Sequence, residues 1–463
     1  MQSFRCFFVV FTVLLVVARV AAGAEIEVSS LAGLARAAAQ NGGTVRLKPG
    51  VYRMTDYLTA DVLEEIRAGV DRTQRRPPVP MFVFRGSDNR FELRDVTIEI
   101  DTSLYQLLPQ GGYTRCLIVA GDRNRLEGLT IRNTGPNQGS GGNILSIAGE
   151  GNTLEDVTLH VRGSFPYGYG DLLGKGGPNL VALQKQSGIQ ILGTKTTLRR
   201  CKVFSRALGH CFYLQGGDDV RLEDCYAEGE MRATSDMLRD TSGPAFALGF
   251  RSVYENRDGR YAITPGYMKS LVEDGFRTYG GAGSATLVNC VAVHTRAGFE
   301  IAGKDDAPTK TVIANCLARG CERSYLLGSN VVVRRSRGDI AHGPVLYLRG
   351  GHGSDIELEL TGPGSNFTVH TLATIAGSDH RVRLTAEAYD ATMPAVPILL
   401  GFGMPAHAEM SSPIRPAAAS RITLLNEIDR VPVISSAETV ECDVQTRGRT
   451  IADAELKKSP GAW

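Results

Sequence analysis

The sequence is short of tryptophan, of net charge and of long apolar runs, and each shortage excludes a class of function. The single Trp is the last of 463 residues, so a sugar groove lined with tryptophan is excluded. Lys and Arg number 51 against 49 Asp and Glu, so neither a basic field for nucleic acid nor an acidic tail is indicated. We therefore expect no nucleic-acid partner.

One apolar run stands at the N-terminus. Arg5 precedes apolar residues 7–17, and Ala22-Gly23-Ala24 then offers small residues to a peptidase. This pattern predicts a secretory signal peptide over residues 1–24, because the run is too short for a comfortable membrane span. We expect the mature chain to be secreted or periplasmic, with no membrane partner once the signal is removed.

Cysteine spacing gives little support for a zinc site. Eight of the nine cysteines follow residue 24, and their spacing is neither C-x-x-C nor Cys/His pairs. Cys201, Cys225, Cys290 and Cys316 occupy one position of a sequence repeat. That position is apolar in earlier repeats, so these residues are predicted to face inward as small apolar side chains. Whether any of the cysteines form disulfides is left open.

The repeat itself is a short apolar strand that ends in glycine, followed by a turn and a second strand. The terminal glycines stand at positions 86, 121, 149, 193, 216, 280, 303, 328, 350, 377 and 401. The period is roughly 24 residues and the apolar positions alternate, which predicts stacked strands rather than helical repeats. We predict an all-β parallel solenoid of about eleven rungs, which at ~4.8 Å per rung would be roughly 50 Å long.

The start of the chain carries the signs of a solenoid cap. Residues 29–40 begin with serine and present an apolar helical face, which predicts an N-terminal cap helix. The helix, the segment GGTVRLKPGVYR (42–53) and the rung length together resemble the pectate-lyase-like right-handed parallel β-helix superfamily over most of residues 25–430. The resemblance implies a single-stranded right-handed β-helix. Its members include lyases, hydrolases, epimerases and non-enzymatic spike proteins, so it implies no single reaction. Residues 431–463 are predicted to be a C-terminal cap or tail.

Two insertions indicate where a functional site lies. The longest rungs place their extra residues near 160–188 and 228–279, on either side of the short link that leads to His210. His210 lies six residues before Gly216, in a mostly polar column that includes Arg115 and Asn143. Insertions that cluster on one face of a solenoid usually carry its function, so we place a candidate active site at this corner.

The insertions are rich in residues that suit acidic sugars. Tyrosine rings stack on sugar faces, while Arg and Lys bind carboxylate or sulfate groups. The candidate catalytic residues are His210, Tyr169, Lys185, Arg232, Glu230 and Asp236. The candidate substrate-binding residues are Arg115, Asn143, Tyr167, Lys175, Arg206, Glu273, Asp274 and Arg277.

Three functions fit this pattern. The first is a polysaccharide lyase acting by β-elimination on a uronate-containing polymer, with His210 as base, Tyr169 as proton donor, and Arg232, Arg277 or Lys185 neutralising the carboxylate. The second is a glycoside hydrolase using two of Glu230, Asp236, Glu273 and Asp274. The third is a non-catalytic carbohydrate-binding or adhesive β-helix.

No cofactor is required by the sequence. Ca²⁺ remains possible in place of the cationic residues, although no oxygen-rich calcium loop stands out and the identity of any metal ligand is unknown. The expected partner is a polysaccharide or oligosaccharide. The sugar, endo or exo action and the oligomeric state are left open.

Overall fold

The structure is a computed structural model that describes residues 25–175, 177–305, 309–362, 369–387, 396–404 and 409–452. The predicted signal peptide therefore lies outside the described residues, as does the lone tryptophan. Within those ranges, no helix is long and apolar enough to cross a membrane.

The chain winds into a parallel β-helix with three strand-bearing faces, as the repeat predicts. Face 1 consists of the glycine-terminated strands. They are Pro78–Phe84, Tyr113–Val119, Gly142–Ile147, Gln186–Ile191, Phe212–Leu214, Asp274–Thr278, Ala297–Ile301, Arg323–Leu327, Leu346–His352, Ala373–Ser378, Ile398–Leu400, Val433–Ser435 and Thr450–Ala452.

Face 2 follows the first turn of each rung. Its strands are Glu25–Val28, Thr44–Leu47, Arg90–Glu92, Arg125–Glu127, Thr153–Glu155, Thr197–Arg199, Val220–Glu223, Ala285–Val288, Thr311–Ala314, Val331–Gly338, Asp355–Leu360, Arg381–Ala386, Thr423–Asn426 and Asp443–Thr446. Face 3 consists of Gly50–Arg53, Val96–Asp101, Thr130–Thr134, Thr158–Arg162, Lys202–Arg206, Tyr226–Glu228, Val291–Val293 and Leu317–Arg319, and it merges with face 2 at Val331–Gly338.

Few other elements are present in the described ranges. The helices are Leu31–Ala37, Met54–Tyr57, Ala60–Ala68, Thr234–Met237 and Gly243–Ala247, with a 3₁₀ helix at Thr102–Leu107. The first of these is the predicted cap helix, and the Ser30 hydroxyl accepts the Gly33 N–H at its start. Short strand pairs lie at Met231–Ala233 with Met268–Ser270 and at Phe402–Gly403 with Arg415–Pro416, and Ala419–Ser420 pairs with Thr439–Val440.

Face 1 contains more rungs than the sequence predicts. Within the described residues, thirteen strands follow one another across it, against the expected eleven or so. The two additional strands, Val433–Ser435 and Thr450–Ala452, come from the segment assigned to a cap or tail. They lack the terminal glycine on which the count from the sequence depended.

The turn between faces 1 and 2 is held by buried asparagines. Asn89 and Asn124 each donate a backbone N–H to the side-chain oxygen of the asparagine one rung on, at 3.1 and 2.8 Å. The Asn124 and Asn152 amides also donate to the carbonyls of Gly86 and Gly121. The side chains of Asn124 and Asn152 therefore each satisfy two backbone groups in the turn of the preceding rung, which explains the repeated use of asparagine at this position.

The column of cysteines is structural. Cys201, Cys225, Cys290 and Cys316 are buried free thiols. Each thiol donates to a carbonyl in the preceding rung, for example Cys290 to Leu222 at 3.6 Å. Burial raises the pKa of the Cys201, Cys225 and Cys290 thiols, so these groups stay protonated and unreactive.

The two insertions pack on each other above face 1. Tyr169, Leu172 and Leu173 of the first contact Met237, Ala245, Tyr254, Ile263 and Leu271 of the second in an apolar cluster separate from the main core. The sequence places these insertions on either side of the link to His210. The structure packs them against each other, so each insertion buries apolar side chains of the other.

Behind the site, the main core contains a stack of aromatic rings. Phe212, Phe276, Phe299 and Tyr325 lie on successive rungs with centroids 5.0 Å apart and planes within 8° of parallel. Phe276 is 1% exposed. Removing its ring would leave a void between two rungs whose backbones are fixed by pairing.

We expect Phe276→Ala to lower the free energy of unfolding by about 3–5 kcal/mol, through lost burial and the resulting cavity. The matched control is Phe246→Ala, whose ring is 50% exposed on an insertion and should change stability by less than about 0.5 kcal/mol. Denaturant unfolding followed by circular dichroism measures both. Equal effects of the two substitutions would contradict the stack as a source of stability.

Candidate active site

His210 lies at the corner where face 3 passes into face 1. Its backbone N–H donates to the Ser187 hydroxyl at 3.3 Å, and Cys211 donates its N–H to the carbonyl of Asp274 on the next rung at 2.9 Å. Ser187 thus stands beside His210 on one side, as the repeat predicts. On the other side the neighbour is Asp274, which the sequence places in the second insertion.

Three polar groups surround the imidazole, which is 6% exposed. Nε2 lies 2.7 Å from the Tyr279 hydroxyl and 3.4 Å from Oε2 of Glu273. Nδ1 lies 2.9 Å from Oδ2 of Asp274. The Asp274 carboxylate favours a proton on Nδ1, which leaves Nε2 able to accept the Tyr279 hydroxyl proton.

Both carboxylates beside His210 are held ionised. Burial alone would raise the pKa of Glu273, but the nearby cations, Lys185 above all and also Arg296, outweigh it and hold that pKa at about 2. The Lys185 ammonium donates to Glu273 at 2.8 Å. Asp274 likewise has its pKa held well below its usual range, against burial, by Arg296 and Arg277.

Arg296 connects this group to a buried charge network. Its guanidinium donates to Asp171 at 2.9 Å, to Asp274 at 2.8 Å and to Glu300 at 3.2 Å. Lys269 continues the chain of charges, at 2.6 Å from Asp171 and 3.0 Å from Glu322. Asp171 belongs to the first insertion and Lys269 to the second, so the network holds both insertions against face 1.

Two cations near the site have no carboxylate partner. Among the described residues, neither Lys175 nor Arg115 has a carboxylate within 4.0 Å of its charged nitrogens. Burial, with Arg296 adding to it, lowers the pKa of Lys175 to about 8. Burial also lowers the pKa of Arg115, whose Nε lacks a hydrogen-bond partner in the described residues. Both were predicted to bind substrate, and both are available to an anion.

Polar side chains extend the site across face 1 towards the N-terminal end. The Asn143 amide donates to the Tyr213 hydroxyl at 2.8 Å, and that hydroxyl lies 3.0 Å from the Tyr113 hydroxyl. The Tyr213 ring centroid is 5.4 Å from that of His210. Asn143 therefore reaches the histidine through a tyrosine that the sequence did not single out.

The other predicted cations at the site are neutralised. Lys185 pairs with Glu273, as described above, and Arg277 pairs with Asp274 and Glu300, each at 2.8 Å. The Arg277 guanidinium also lies 4.4 Å from the centre of the Tyr279 ring. These two residues fix the positions of acidic and phenolic groups rather than offering free charge.

The remaining predicted residues form separate groups in the insertions. The Tyr169 hydroxyl and the Arg232 guanidinium both donate to Asp240, at 2.7 and 2.6 Å. The Tyr167 hydroxyl donates to Glu230, which also lies 3.5 Å from Arg206.

Asp236 pairs with Arg239 on the exposed surface. None of these residues contacts His210 among the hydrogen bonds and ion pairs of the described chain. The structure thus brings together Lys185, His210, Glu273, Asp274 and Arg277, and it leaves Tyr169, Arg232, Glu230 and Asp236 outside that group.

The described ranges offer no evident metal site. No group of three or more His, Cys, Asp or Glu side chains in them is placed to hold a metal ion. The carboxylates nearest His210 are bonded to Lys and Arg instead. Binding of Ca²⁺ therefore stays a prediction without a candidate set of ligands in this part of the chain.

Comparison with known proteins found matches among solved structures only. No protein-family model and no curated protein matches the chain. Solved structures similar to it include a PL6 alginate lyase in complex with a trisaccharide, which is 11% identical, with 94% of this chain and 87% of that chain covered and a TM-score of 0.46.

Two other similar structures are an epimerase and a phage tailspike protein. The A-module of the Azotobacter vinelandii mannuronan C-5 epimerase AlgE6 is 13% identical, with 86% and 97% covered and a TM-score of 0.44. A mutant tailspike protein of E. coli bacteriophage HK620 is 9% identical, with 94% and 76% covered and a TM-score of 0.45. The predicted resemblance to right-handed parallel β-helix proteins is confirmed for the fold alone.

Sequence reasoning missed Tyr279 and Arg296. Tyr279 directly precedes Gly280, one of the repeat glycines, so its position on face 1 was readable from the repeat. Arg296 precedes the apolar strand Ala297–Ile301 and looked like an ordinary strand-end charge. Its role depends on Asp171, 125 residues earlier in the chain, which no local pattern connects to it.

We expect Arg296→Met to destabilise the protein by about 3–5 kcal/mol, because it leaves Asp171 and Asp274 buried without their shared cation. The control is Arg383→Met, which removes an exposed arginine paired with Glu357 and Glu427 and should cost at most about 1 kcal/mol. Denaturant unfolding at neutral pH measures both. A loss no greater than that of the control would mean that the network does not hold the insertions in place.

Proposed function

We propose that this protein is a polysaccharide lyase that cleaves a uronate-containing polysaccharide by β-elimination at His210. The observation that carries the proposal is the contact of 2.7 Å between His210 Nε2 and the Tyr279 hydroxyl, with the unpaired Lys175 nearby. These groups could supply the base, the proton donor and the cation that elimination from a uronate needs.

The elimination breaks two bonds and forms one double bond. A base removes the proton from the carbon next to the sugar carboxylate. The electron pair forms a carbon–carbon double bond, the bond to the leaving sugar oxygen breaks, and that oxygen takes up a proton. A cation beside the carboxylate stabilises the negative charge that develops as the first proton leaves.

His210 and Tyr279 are assigned to the two proton transfers. Nδ1 faces Asp274, so the lone pair of Nε2 is the basic position. Burial raises the pKa of Tyr279, and nearby acidic groups including Glu273 add to it, so the phenol stays protonated and able to donate. Tyr279 takes the role first expected of Tyr169, whose hydroxyl is bonded to Asp240.

Lys175 and Arg115 are assigned to the substrate carboxylates. The residues first expected to neutralise charge, Arg232, Arg277 and Lys185, already bind protein carboxylates. Lys175 has no such partner among the described residues, although Arg296, Asp171, Asp274 and Glu300 are near enough to influence its pKa. An anionic sugar would therefore bind Lys175 without displacing a protein carboxylate.

Clefts on both sides of the site support a polymeric substrate. Towards the C-terminal end, a cleft of about 290 Å³ is lined by residues that include Arg277, Tyr279, Lys304 and Arg349. Towards the N-terminal end, a cleft of about 630 Å³ is lined by uncharged residues such as Gln106, Gln138 and Phe165. Together they offer binding surface for sugars on either side of the bond that is cleaved.

The alternatives fit this arrangement less well. A glycoside hydrolase needs one carboxylic acid that is protonated near neutral pH, whereas Glu273 and Asp274 both have lowered pKa values and bind cations. A purely adhesive role gives no reason to place a histidine in contact with a phenol and two carboxylates.

Secretion through the predicted signal peptide would bring the enzyme to its polysaccharide.

The test is the absorbance of unsaturated uronate during incubation with a panel of uronate-containing polysaccharides. We expect His210→Ala and Tyr279→Phe each to lower kcat by at least about 100-fold, because each removes one of the proton-transfer groups. The matched control is Tyr52→Phe, which removes a phenol hydroxyl bonded to the Lys48 carbonyl and should leave the rate unchanged.

The outcomes separate the candidate functions. New reducing ends without unsaturated product would contradict the lyase and favour a hydrolase. Unsaturated product that survives both substitutions would contradict the assignment of His210 and Tyr279. The absence of any product across the panel, with binding retained, would favour the non-catalytic function.

The pKa of Lys175 predicts how activity depends on pH. As pH rises through about 8, the lysine loses its charge, so KM for a uronate substrate should rise and kcat/KM should fall. Lys175→Arg keeps the charge at higher pH, so its KM should stay flat between about pH 7 and 9 if the longer side chain still reaches the carboxylate. The measurement is a pH profile of kcat and KM for both proteins, and identical profiles would rule out Lys175 as the carboxylate-binding group.

A further inference from the structure

A third cleft lies on face 3, and it shares Asn137 with the cleft at the N-terminal end of the site. It has a volume of about 550 Å³ and is lined by Arg132, Asn133, Asn137, His160, Val161, Arg162, Phe204 and Arg206. The strands that form it are Thr130–Thr134, Thr158–Arg162 and Lys202–Arg206, which pair in register. The cleft therefore runs across three successive rungs.

Aromatic side chains form a platform in this cleft. His160 and Phe204 face each other across adjacent strands, with ring centroids 5.2 Å apart and planes within 12° of parallel. Tyr226 on the next rung continues the row, 5.6 Å from Phe204. All three side chains are only partly buried, so the platform is accessible from solvent.

The arginines that border the platform have few carboxylates close to them. Arg132 is 4.0 Å from its nearest carboxylate, Glu99. Arg162 bonds to the neutral side chain of Asn137 at 3.3 Å and has no carboxylate within 4.0 Å among the described residues. Arg206 contacts Glu228 and Glu230 at the margin, at 3.6 and 3.5 Å. No acidic residue lines the cleft itself.

Several exposed arginines of face 2 are paired with glutamates instead. There, Arg46, Arg125, Arg199, Arg221 and Arg383 each lie within hydrogen-bond distance of a glutamate on the same or a neighbouring strand. Such rows of alternating charge keep a sheet surface neutral. The cleft on face 3 departs from that pattern at Arg132 and Arg162, and it does so beside an aromatic platform.

We infer that this cleft is a second binding site for an acidic polysaccharide. Sugar rings would stack on His160 and Phe204, and their carboxylate or sulfate groups would bind Arg132 and Arg162. None of the residues that line it contacts His210 among the described hydrogen bonds and ion pairs, so it would bind the polymer without taking part in cleavage. The inference concerns binding alone and does not depend on the proposed elimination.

An acidic polysaccharide suits the cleft better than a nucleic acid. Binding of a nucleic acid depends on many phosphate contacts and on a basic surface field, whereas this chain has a net charge of only +2. The guanidinium of Arg162, which has no carboxylate within 4.0 Å among the described residues, and that of Arg132, at 4.0 Å from Glu99, lie beside a short row of rings and match a few charged sugars. A single-stranded nucleic acid is kept as an outcome of the test.

The test is affinity electrophoresis in native gels that contain polygalacturonate, alginate or chondroitin sulfate. The double variant Arg132→Gln, Arg162→Gln should raise Kd for at least one polymer about tenfold, equivalent to 1.4 kcal/mol. The charge-matched control is Arg221→Gln, Arg383→Gln on face 2, which should bind as the wild type does. Phe204→Ala tests the platform, with its folding checked by circular dichroism.

Each outcome decides the inference. Retardation that falls with the face 3 variant and not with the face 2 control supports the second site, whether or not any polymer is cleaved. Equal loss in both double variants would mean general charge attraction and would overturn the inference. Wild-type protein that no polymer retards, or tighter binding of single-stranded DNA at equal ionic strength, would overturn it as well.

Discussion

Parallel pairing in register is the constraint on which this structure depends. Each strand satisfies its backbone groups only through the rungs before and after it, so every residue keeps a fixed column along the rod. Apolar columns fill the interior, and buried asparagines bond the turns of successive rungs. The same constraint brings His210 beside Asp274, although 63 residues separate them, because the inserted residues leave and return at one corner.

The charged groups buried beneath the insertions depend on one another for neutralisation. Asp171, Lys269, Arg296 and Glu322 are almost fully buried, and each would be costly without its partners. They come from both insertions and from two rungs, so their mutual pairing places the insertions relative to the rod. The position of Lys175 above the site follows from this arrangement, as does the ionised state of the carboxylates that contact His210.

The sequence predicted those features that repeat along the chain. The apolar alternation recurs along the chain, and the cysteine column recurs in four rungs, so the β-helix and the corner position of His210 could be inferred from one chain. The network around Arg296 could not, because it joins residues that occur once each and are distant in sequence. Asp274 lies six residues before Gly280, as His210 does before Gly216, but it falls inside the span predicted as the second insertion. Tyr279, the tyrosine that contacts His210, is not distinguished by the sequence from Tyr169, which carries the same phenol group in the first insertion.

The second insertion shows how tolerant a rung is of extra chain. Phe212 pairs with Phe276 as closely as Phe276 pairs with Phe299, although the first connection is 64 residues long and the second only 23. The entropy lost in closing a loop grows slowly with its length, so a corner that accepts a short link can accept a long one at little additional cost. In such a scaffold the fold and the functional groups can therefore change independently. Replacing the residues inserted at one corner could change the chemistry of the site, while the β-helix beneath would keep its architecture.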